Sequence, residues 1–382
     1  MGSTSSKGVN SLVACRRCGI ASLILTFLLT LGGPGLGTES SKKLKNLQDV
    51  VGSAHVAGKY NFDDKDFLNE GADKLLELGT RVIKLWFTPT PQKSYPFNSD
   101  WPEIHSLVEL AGTPYFREVF RKPFTTYLLE TFRPGHDWHY FVKGLSLEEA
   151  EKEREEIYQL TKHFLTEYKG TGKTFVLQNW ESDWVLTNPQ FTREPDPVTI
   201  KAMIEWFNAR QEGVEKARRE VGTDGVMVVH AAEVNLVARA MEGKVTATND
   251  VIPHTHCDLY SYSCWDTCRD TKKLRAALDY LADKAPDSKL FGSKNVFVGE
   301  FGAPENDCGG PERQLEIVKN ATETALDWGA RYVVYWELYC NEPKGEYEGR
   351  PKNENCRGFW LIRPDGSKSL VWDYFRALFP PE

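Results

Sequence analysis

Two glutamates, far apart along the chain, stand in the same kind of setting. Glu181 closes the run Thr174-Phe-Val-Leu-Gln-Asn-Trp-Glu181, and Glu300 closes Asn295-Val-Phe-Val-Gly-Glu300. A glycosidic bond is cut by two carboxyl groups, one protonating the departing oxygen and the other attacking the anomeric carbon or activating water. A carboxyl at the end of an apolar run is desolvated, which raises its pKa toward the range a general acid needs. A glutamate after a strand is more often a loop salt-bridge partner when taken alone; the recurrence of one context is what couples these two.

The elements that must position this pair alternate along the chain. Short apolar runs that read as buried parallel strands fall at 55–60, 81–87, 126–131, 173–179, 225–230, 258–262, 295–299 and 331–336. Helical periodicity fills 66–78, 146–168, 197–220, 271–284, 311–328 and 369–379. Short apolar strands alternating with amphipathic helices predict an α/β fold with a parallel sheet. Eight such units predict a (β/α)8 barrel in one domain. A doubly wound open sheet is the alternative, but no glycine-rich nucleotide loop follows the first strand. Ser146-Leu-Glu-Glu149 is a capping box, and Pro197 and Pro311 suit first helical turns. In a barrel of this kind active sites lie at the carboxyl ends of the strands, which is where Glu181 (strand four) and Glu300 (strand seven) fall.

The 382 residues are 41% apolar and 26% charged with net charge −7, which suits a core-forming domain and excludes a broad basic surface for nucleic acid. Lys7, Arg16 and Arg17 precede the uncharged stretch 19–31 and the small residues Gly35-Leu36-Gly37. This predicts a secretory signal over 1–37 and a mature domain over 38–382. An uncleaved signal anchor over 18–38 is the alternative, and the one route to a membrane. Met1-Gly2 through Ser6 also fits N-myristoylation, with Cys15 and Cys18 as acyl sites. Six further cysteines, Cys257, Cys264, Cys268, Cys308, Cys340 and Cys356, suit disulfides in an oxidising compartment. Their pairing is open, though Cys340 with Cys356 would staple the polar loop 341–355. The rival use of the first three is zinc, with His254 and His256 as nitrogen donors, without the paired CxxC of a structural zinc module. Asn320-Ala-Thr322 is a glycosylation sequon, compatible with export.

Gly299-Glu-Phe-Gly302, a glutamate after strand four, Trp336 at the end of strand eight and Gly358-Phe-Trp-Leu-Ile-Arg-Pro-Asp-Gly366 together resemble the retaining glycoside hydrolases of the (β/α)8 clan that includes cellulases, mannanases and β-xylosidases. The resemblance covers nearly the whole mature chain. It implies Glu181 as acid/base, Glu300 as nucleophile, Trp336 as a sugar-stacking ring, and Tyr260 or Tyr262 as a hydrogen-bond partner of the nucleophile. Two departures stand out. The clan's adjacent Asn-Glu pair is split here, with Trp180 between Asn179 and Glu181, and the clan's arginine after strand two is replaced by Lys84 or Trp86. In an extended strand Asn179 and Glu181 share a face, which would set the amide against a sugar hydroxyl.

His230, Glu233 and Asn235, after strand five, are further cleft candidates, and Glu130 and Glu337 are spare strand-end carboxylates. Eleven tryptophans, Trp86, Trp138, Trp180, Trp184, Trp265 and Trp360 among them, offer faces for pyranose rings or for core packing. The expected reaction is double displacement on a β-linked oligo- or polysaccharide, with carboxyls about 5–5.5 Å apart, where inversion would need roughly 6.5–9.5 Å. It calls for no metal and no organic cofactor. A glycan-binding barrel without catalysis, or a metal-assisted hydrolase at the 254–268 segment, are the other classes compatible with the chain.

Overall fold

A computed structural model describes residues 47–379. Eight parallel strands close into a barrel in chain order: β1 Val51–His55, β2 Val82–Phe87, β3 Thr126–Thr131, β4 Lys173–Gln178, β5 Val226–Val234, β6 Leu259–Ser263, β7 Val296–Phe301 and β8 Val333–Tyr335, with β8 pairing back onto β1. Seven helices of at least eight residues lie among the described residues: α1 Phe67–Leu78, α2 Pro114–Arg121, α3 Leu147–Glu167, α4 Pro197–Val221, α5 Thr271–Lys284, α6 Pro311–Trp328 and α7 Leu370–Leu378. Between β5 and β6 only short pieces, Val237–Met241, Ala247–Asp250 and Ile252–His254, cover the barrel.

Helix starts are set by side-chain caps. Asp66 accepts from Asn69 N at 3.0 Å, Ser146 from Glu149 N at 3.1 Å, and Asp196 from Val198 N and Thr199 N at 2.9 and 3.0 Å. The Glu149 carboxylate does not reach back to complete a box; it pairs with Arg133.

Successive side chains of a barrel strand point alternately to the interior and to the helices. Val82, Leu128, Val176, Val229, Leu259, Phe297 and Val334 fill the interior in one fully buried apolar layer. Ile83, Leu85, Tyr127, Leu129, Phe175, Leu177 and Val228 face outward into the core shared with the helices. Each such burial removes a side chain worth about 1.5–3 kcal/mol from water, so the alternation fixes the register of every strand.

The first strand lies four residues earlier than the sequence pattern suggests, at Val51–His55 and not 55–60. Its apolar signal is diluted by Gly52 and Ser53. A Cβ at Gly52 would sit 2.5 Å from Val82 O, so close approach to β2 demands glycine there. The 55–60 stretch turns instead, with Ala57 at φ 51°.

The six cysteines among the described residues form no disulfide in this structure. Cys340 and Cys356 do meet as thiols, and the hydrogen bond between them pushes the Cys340 thiol down to about 7. Among the described residues no three of His254, His256, Cys257, Cys264 and Cys268 come into metal-coordinating range of one another. Asn320 is exposed on α6, whereas Thr322 is buried and donates to Val318 O at 2.7 Å. The segment 1–37, with its targeting motifs, lies outside the described residues. Among those described, no helix is long and apolar enough to cross a membrane.

Candidate active site

One step above the apolar plug, the same inward phase carries polar residues: Lys84, Glu130, Gln178, Glu233 and Ser261, each two positions beyond an inward apolar residue of its own strand. Lys84 is the hub. Its Nζ donates to Glu130 Oε1 at 2.8 Å, Glu233 Oε1 at 3.0 Å, Glu300 Oε1 at 2.8 Å and Gly299 O at 3.3 Å, and the side chain is fully buried. Burial opposes the lysine's charge, but the three carboxylates outweigh it and hold the ammonium well above its usual range. The three carboxylates have oxygens within 4.8 Å of one another, an arrangement suited to a cation, and the ammonium of Lys84 is the cation among them. Gln178 Nε2 bridges Glu130 and Glu233 at 2.9 and 3.0 Å, and Ser261 Oγ donates to Glu233 at 2.9 Å. Gly299 leaves the room these groups occupy, since a Cβ there would fall 1.9 Å from Ser261 Oγ and 2.7 Å from Glu233 Oε1.

Glu300 reaches this layer through an irregularity. Strict alternation after Phe297 and Gly299 would turn it toward the helices. The β6–β7 register shifts between Tyr262 and Ser263, and the β7–β8 register between Val298 and Phe301, so that Glu300 pairs with inward-facing Ser263. Burial pushes the Glu300 carboxyl up to about 7, with Lys84 pulling the other way and Glu233 adding to the rise. Trp265 Nε1 donates to its second oxygen at 3.4 Å.

Glu181 follows β4 with a positive φ of 28°, a sparsely allowed conformation for a residue with a side chain. Its backbone N–H donates to Glu233 Oε2 at 3.3 Å, which ties the β4 end to the Lys84 cluster. Trp184 Nε1 donates to Oε2 at 2.5 Å, while Oε1 is buried with no hydrogen-bond partner. Burial, then the charges of Glu300 and Glu233, raise the Glu181 carboxyl well above its usual range. Glu181 is therefore poised to carry a proton, and Glu300, held by an ammonium and an indole, to lose one first.

Aromatic side chains line the mouth. Trp336, at the end of β8, packs edge-on against Trp86 of β2 with ring centroids 5.3 Å apart, and Trp265 packs against Phe359 at 5.6 Å. The Trp336–Glu337 peptide bond is cis. Glu337 is buried, accepts from Asn341 N at 3.0 Å, and is raised well above its usual range, by burial first.

Other residues singled out by sequence stand elsewhere. Tyr260 and Tyr262 share a face, but it is the outward one: Tyr260 OH meets Thr255 Oγ1 at 3.1 Å and Tyr262 OH meets Thr267 Oγ1 at 2.8 Å, away from Glu300. His230 also faces the helices, where its Nε2 accepts from Arg210 Nε of α4 at 3.2 Å; burial and then that guanidinium hold it neutral. Asn179 does not share a face with Glu181, because β4 ends at Gln178 and Glu181 departs from extended geometry. The Asn179 amide instead locks β4 to β5, accepting from Glu233 N at 2.8 Å and donating to Ser182 Oγ at 2.9 Å. Asn235 likewise accepts from Asp183 N at 3.2 Å to join two loops. Sequence reasoning missed Gln178 and Ser261 and left Glu130 as a spare. The signal that finds all three is a polar residue continuing the inward phase of an apolar strand.

No protein-family model matches the chain, and no curated protein sequence matches it. Solved structures do resemble it in fold. A GH5_18 enzyme from Streptomyces cattleya in complex with GlcNAc superposes with a TM-score of 0.56 at 13% identity, over 86% of this chain and 79% of the other. A GH5-4 broad specificity endoglucanase from Clostridium longisporum gives 0.53 at 11% identity, over 87% and 96%. The exo-β-1,4-mannosidase of Opitutaceae bacterium strain TAV5 gives 0.54 at 12% identity, over 86% and 58%. At these identities the likeness is one of fold, and it runs over the single-domain (β/α)8 barrel of this chain.

Proposed function

We propose that the chain is a retaining glycosidase acting on β-linked glycans. The observation that carries the reading is the gathering of Glu181, from the end of β4, and Glu300, from β7, around one buried cluster in which each carboxyl has a distinct support. Glu300, ionised beside Lys84 and Trp265, attacks the anomeric carbon. Glu181, protonated in its buried seat against Trp184, gives its proton to the departing oxygen, and then as carboxylate takes one from the water that hydrolyses the glycosyl-enzyme. Trp336 and Trp86 offer the apolar faces on which a pyranose ring rests. Support of a second kind comes from neighbours in fold: GH5_18 enzymes have been solved with Manβ1-4GlcNAc and with GlcNAc, and others are named endoglucanase and mannosidase.

The test is direct. A 2-deoxy-2-fluoro β-glycoside with a good leaving group should inactivate the enzyme and leave one glycosyl adduct, mapped by mass spectrometry to Glu300. Nuclear magnetic resonance of the first product formed should show the β anomer. An α product, or an adduct on another residue, overturns the assignment.

The proposal includes export through the 1–37 segment, checked by sequencing the amino terminus of protein recovered from medium. In an oxidising compartment Cys340 and Cys356 are the pair placed to join, which non-reducing peptide mapping reads.

A further inference from the structure

Beside the carboxyl cluster, on the β2–β3–β4 side of the mouth, a groove of about 570 Å³ is lined by Trp86, Trp138 and Trp180, with Lys93 and Asp137 among its polar residues. We propose that this groove binds the leaving-group portion of an oligosaccharide, seating about two pyranose rings beyond the bond that is cut. The inference rests on the glycosidase reading and adds to it the side on which the departing sugars lie and the residues that hold them.

Continuity with the reacting centre is the first argument. Trp86 belongs to both places: its ring lies 5.5 Å from Lys84 Nζ and 5.3 Å from the Trp336 ring, and it also walls the groove. Trp180 immediately precedes Glu181, so the opposite wall ends at the proton donor.

Direction is the second. The donor protonates the oxygen that departs, so a sugar lying beyond Glu181 is the one released. In an eight-stranded ring β3 and β4 face β7 and β8, and on that far side Glu300 is covered by Trp265, which packs on Phe359. The glycone is thereby kept to one side and the leaving group to the other.

Chemistry is the third. Trp138 and Trp180 meet edge to face, centroids 5.3 Å apart at 85°, and both remain partly open to solvent. Two indoles at right angles present apolar surface that suits the CH faces of pyranoses, while Lys93 and Asp137 supply a donor and an acceptor for hydroxyls.

The experiment compares two substrates sharing one glycone: a β-linked oligosaccharide, which fills the groove, and the corresponding β-glycosyl fluoride, whose leaving group occupies none of it. In Trp138→Ala, kcat/KM for the oligosaccharide should fall about tenfold or more, with the fluoride unchanged within about twofold. Trp138→Phe should recover part of the loss, and unchanged melting temperatures show that the fold is intact. An equal fall on both substrates, or no fall on either, overturns the groove assignment. Fluorescence titration with cello- and manno-oligosaccharides reads the site without turnover. Quenching by long oligosaccharides that is present in wild type and in Glu300→Gln but markedly weaker in affinity and extent in Trp138→Ala supports the groove, and quenching of equal affinity and extent in Trp138→Ala refutes it. Failure of the glycosidase reading shows separately, as unaltered hydrolysis by Glu300→Gln.

Discussion

Lys84→Met removes the one ammonium among Glu130, Glu233 and Glu300, and its effect follows from the distances. At 2.8 Å from Glu300, with an effective dielectric of about 20, the attraction is about 6 kcal/mol before desolvation is counted. The lysine is shared among three carboxylates, so a conservative share for Glu300 is about 3 kcal/mol, or roughly two pKa units. Glu300 starts at about 7, where half of it is ionised at pH 7. A rise of two units leaves about 1% ionised, so kcat/KM at pH 7 should fall roughly 50-fold.

The assay is kcat/KM from pH 5 to 10, with the acid limb moving alkaline by about two units. Because removing one partner from a buried ionic cluster costs about 3–5 kcal/mol of stability, melting curves must accompany it. The double variant Lys84→Met with Glu130→Gln restores part of the charge balance and keeps the test readable if the single variant unfolds. Lys84→Arg retains the charge in a different shape, so its limb should stay near 7 even where kcat drops. An acid limb that stays in place in Lys84→Met would refute the view that this ammonium keeps the nucleophile ionised.

Glu300→Gln should abolish turnover yet stabilise the fold above neutrality. A carboxyl raised from 4.5 to about 7 by burial favours the protonated folded form, so wild type loses about 3 kcal/mol as pH rises through that window. The difference in melting temperature between variant and wild type should be near zero at pH 4 and reach several degrees at pH 8. Gly299→Ala drives a methyl into Ser261 and Glu233 and should cost about 1–3 kcal/mol with loss of activity, read by denaturant unfolding and kinetics together. His230→Gln should alter stability while leaving kcat/KM within about twofold, because its ring meets Arg210 in the helix layer. Burial holds His230 neutral in the fold, so wild-type stability from this group is lost as pH falls below about 6.5, and the variant should lack that component.

Local sequence fixed the architecture because its signals are local. Apolar strand runs, capped amphipathic helices and their alternation are properties of short windows, and each is stabilised by burying the face its own pattern defines. Glu181 and Glu300 were legible for the same reason, as carboxyls at the ends of recognisable strands. Facing was legible only as far as alternation holds. Tyr260 and Tyr262 lie within β6 and His230 in the middle of a longer β5, all in the outward phase, and nothing local to them says which phase the barrel selects. That choice belongs to the closed ring, where Val229, Leu259 and Phe297 must share one interior layer.

Departures from alternation were beyond the reach of pattern. Glu300 turns inward through a register shift between strands that must still close the ring, and Glu181 takes a positive φ while its N–H reaches a carboxylate from β5. The replacement of an arginine by Lys84 was visible in the chain. That the lysine's four-carbon stem threads the barrel to meet three carboxylates from β3, β5 and β7 was not, since those residues lie between 46 and 216 positions away and only closure brings them within hydrogen-bonding distance. Sequence by itself determined which strands exist and which residues end them. Tertiary structure decided which of those residues share one water-poor cavity, because that depends on the common register of eight strands and not on any one of them.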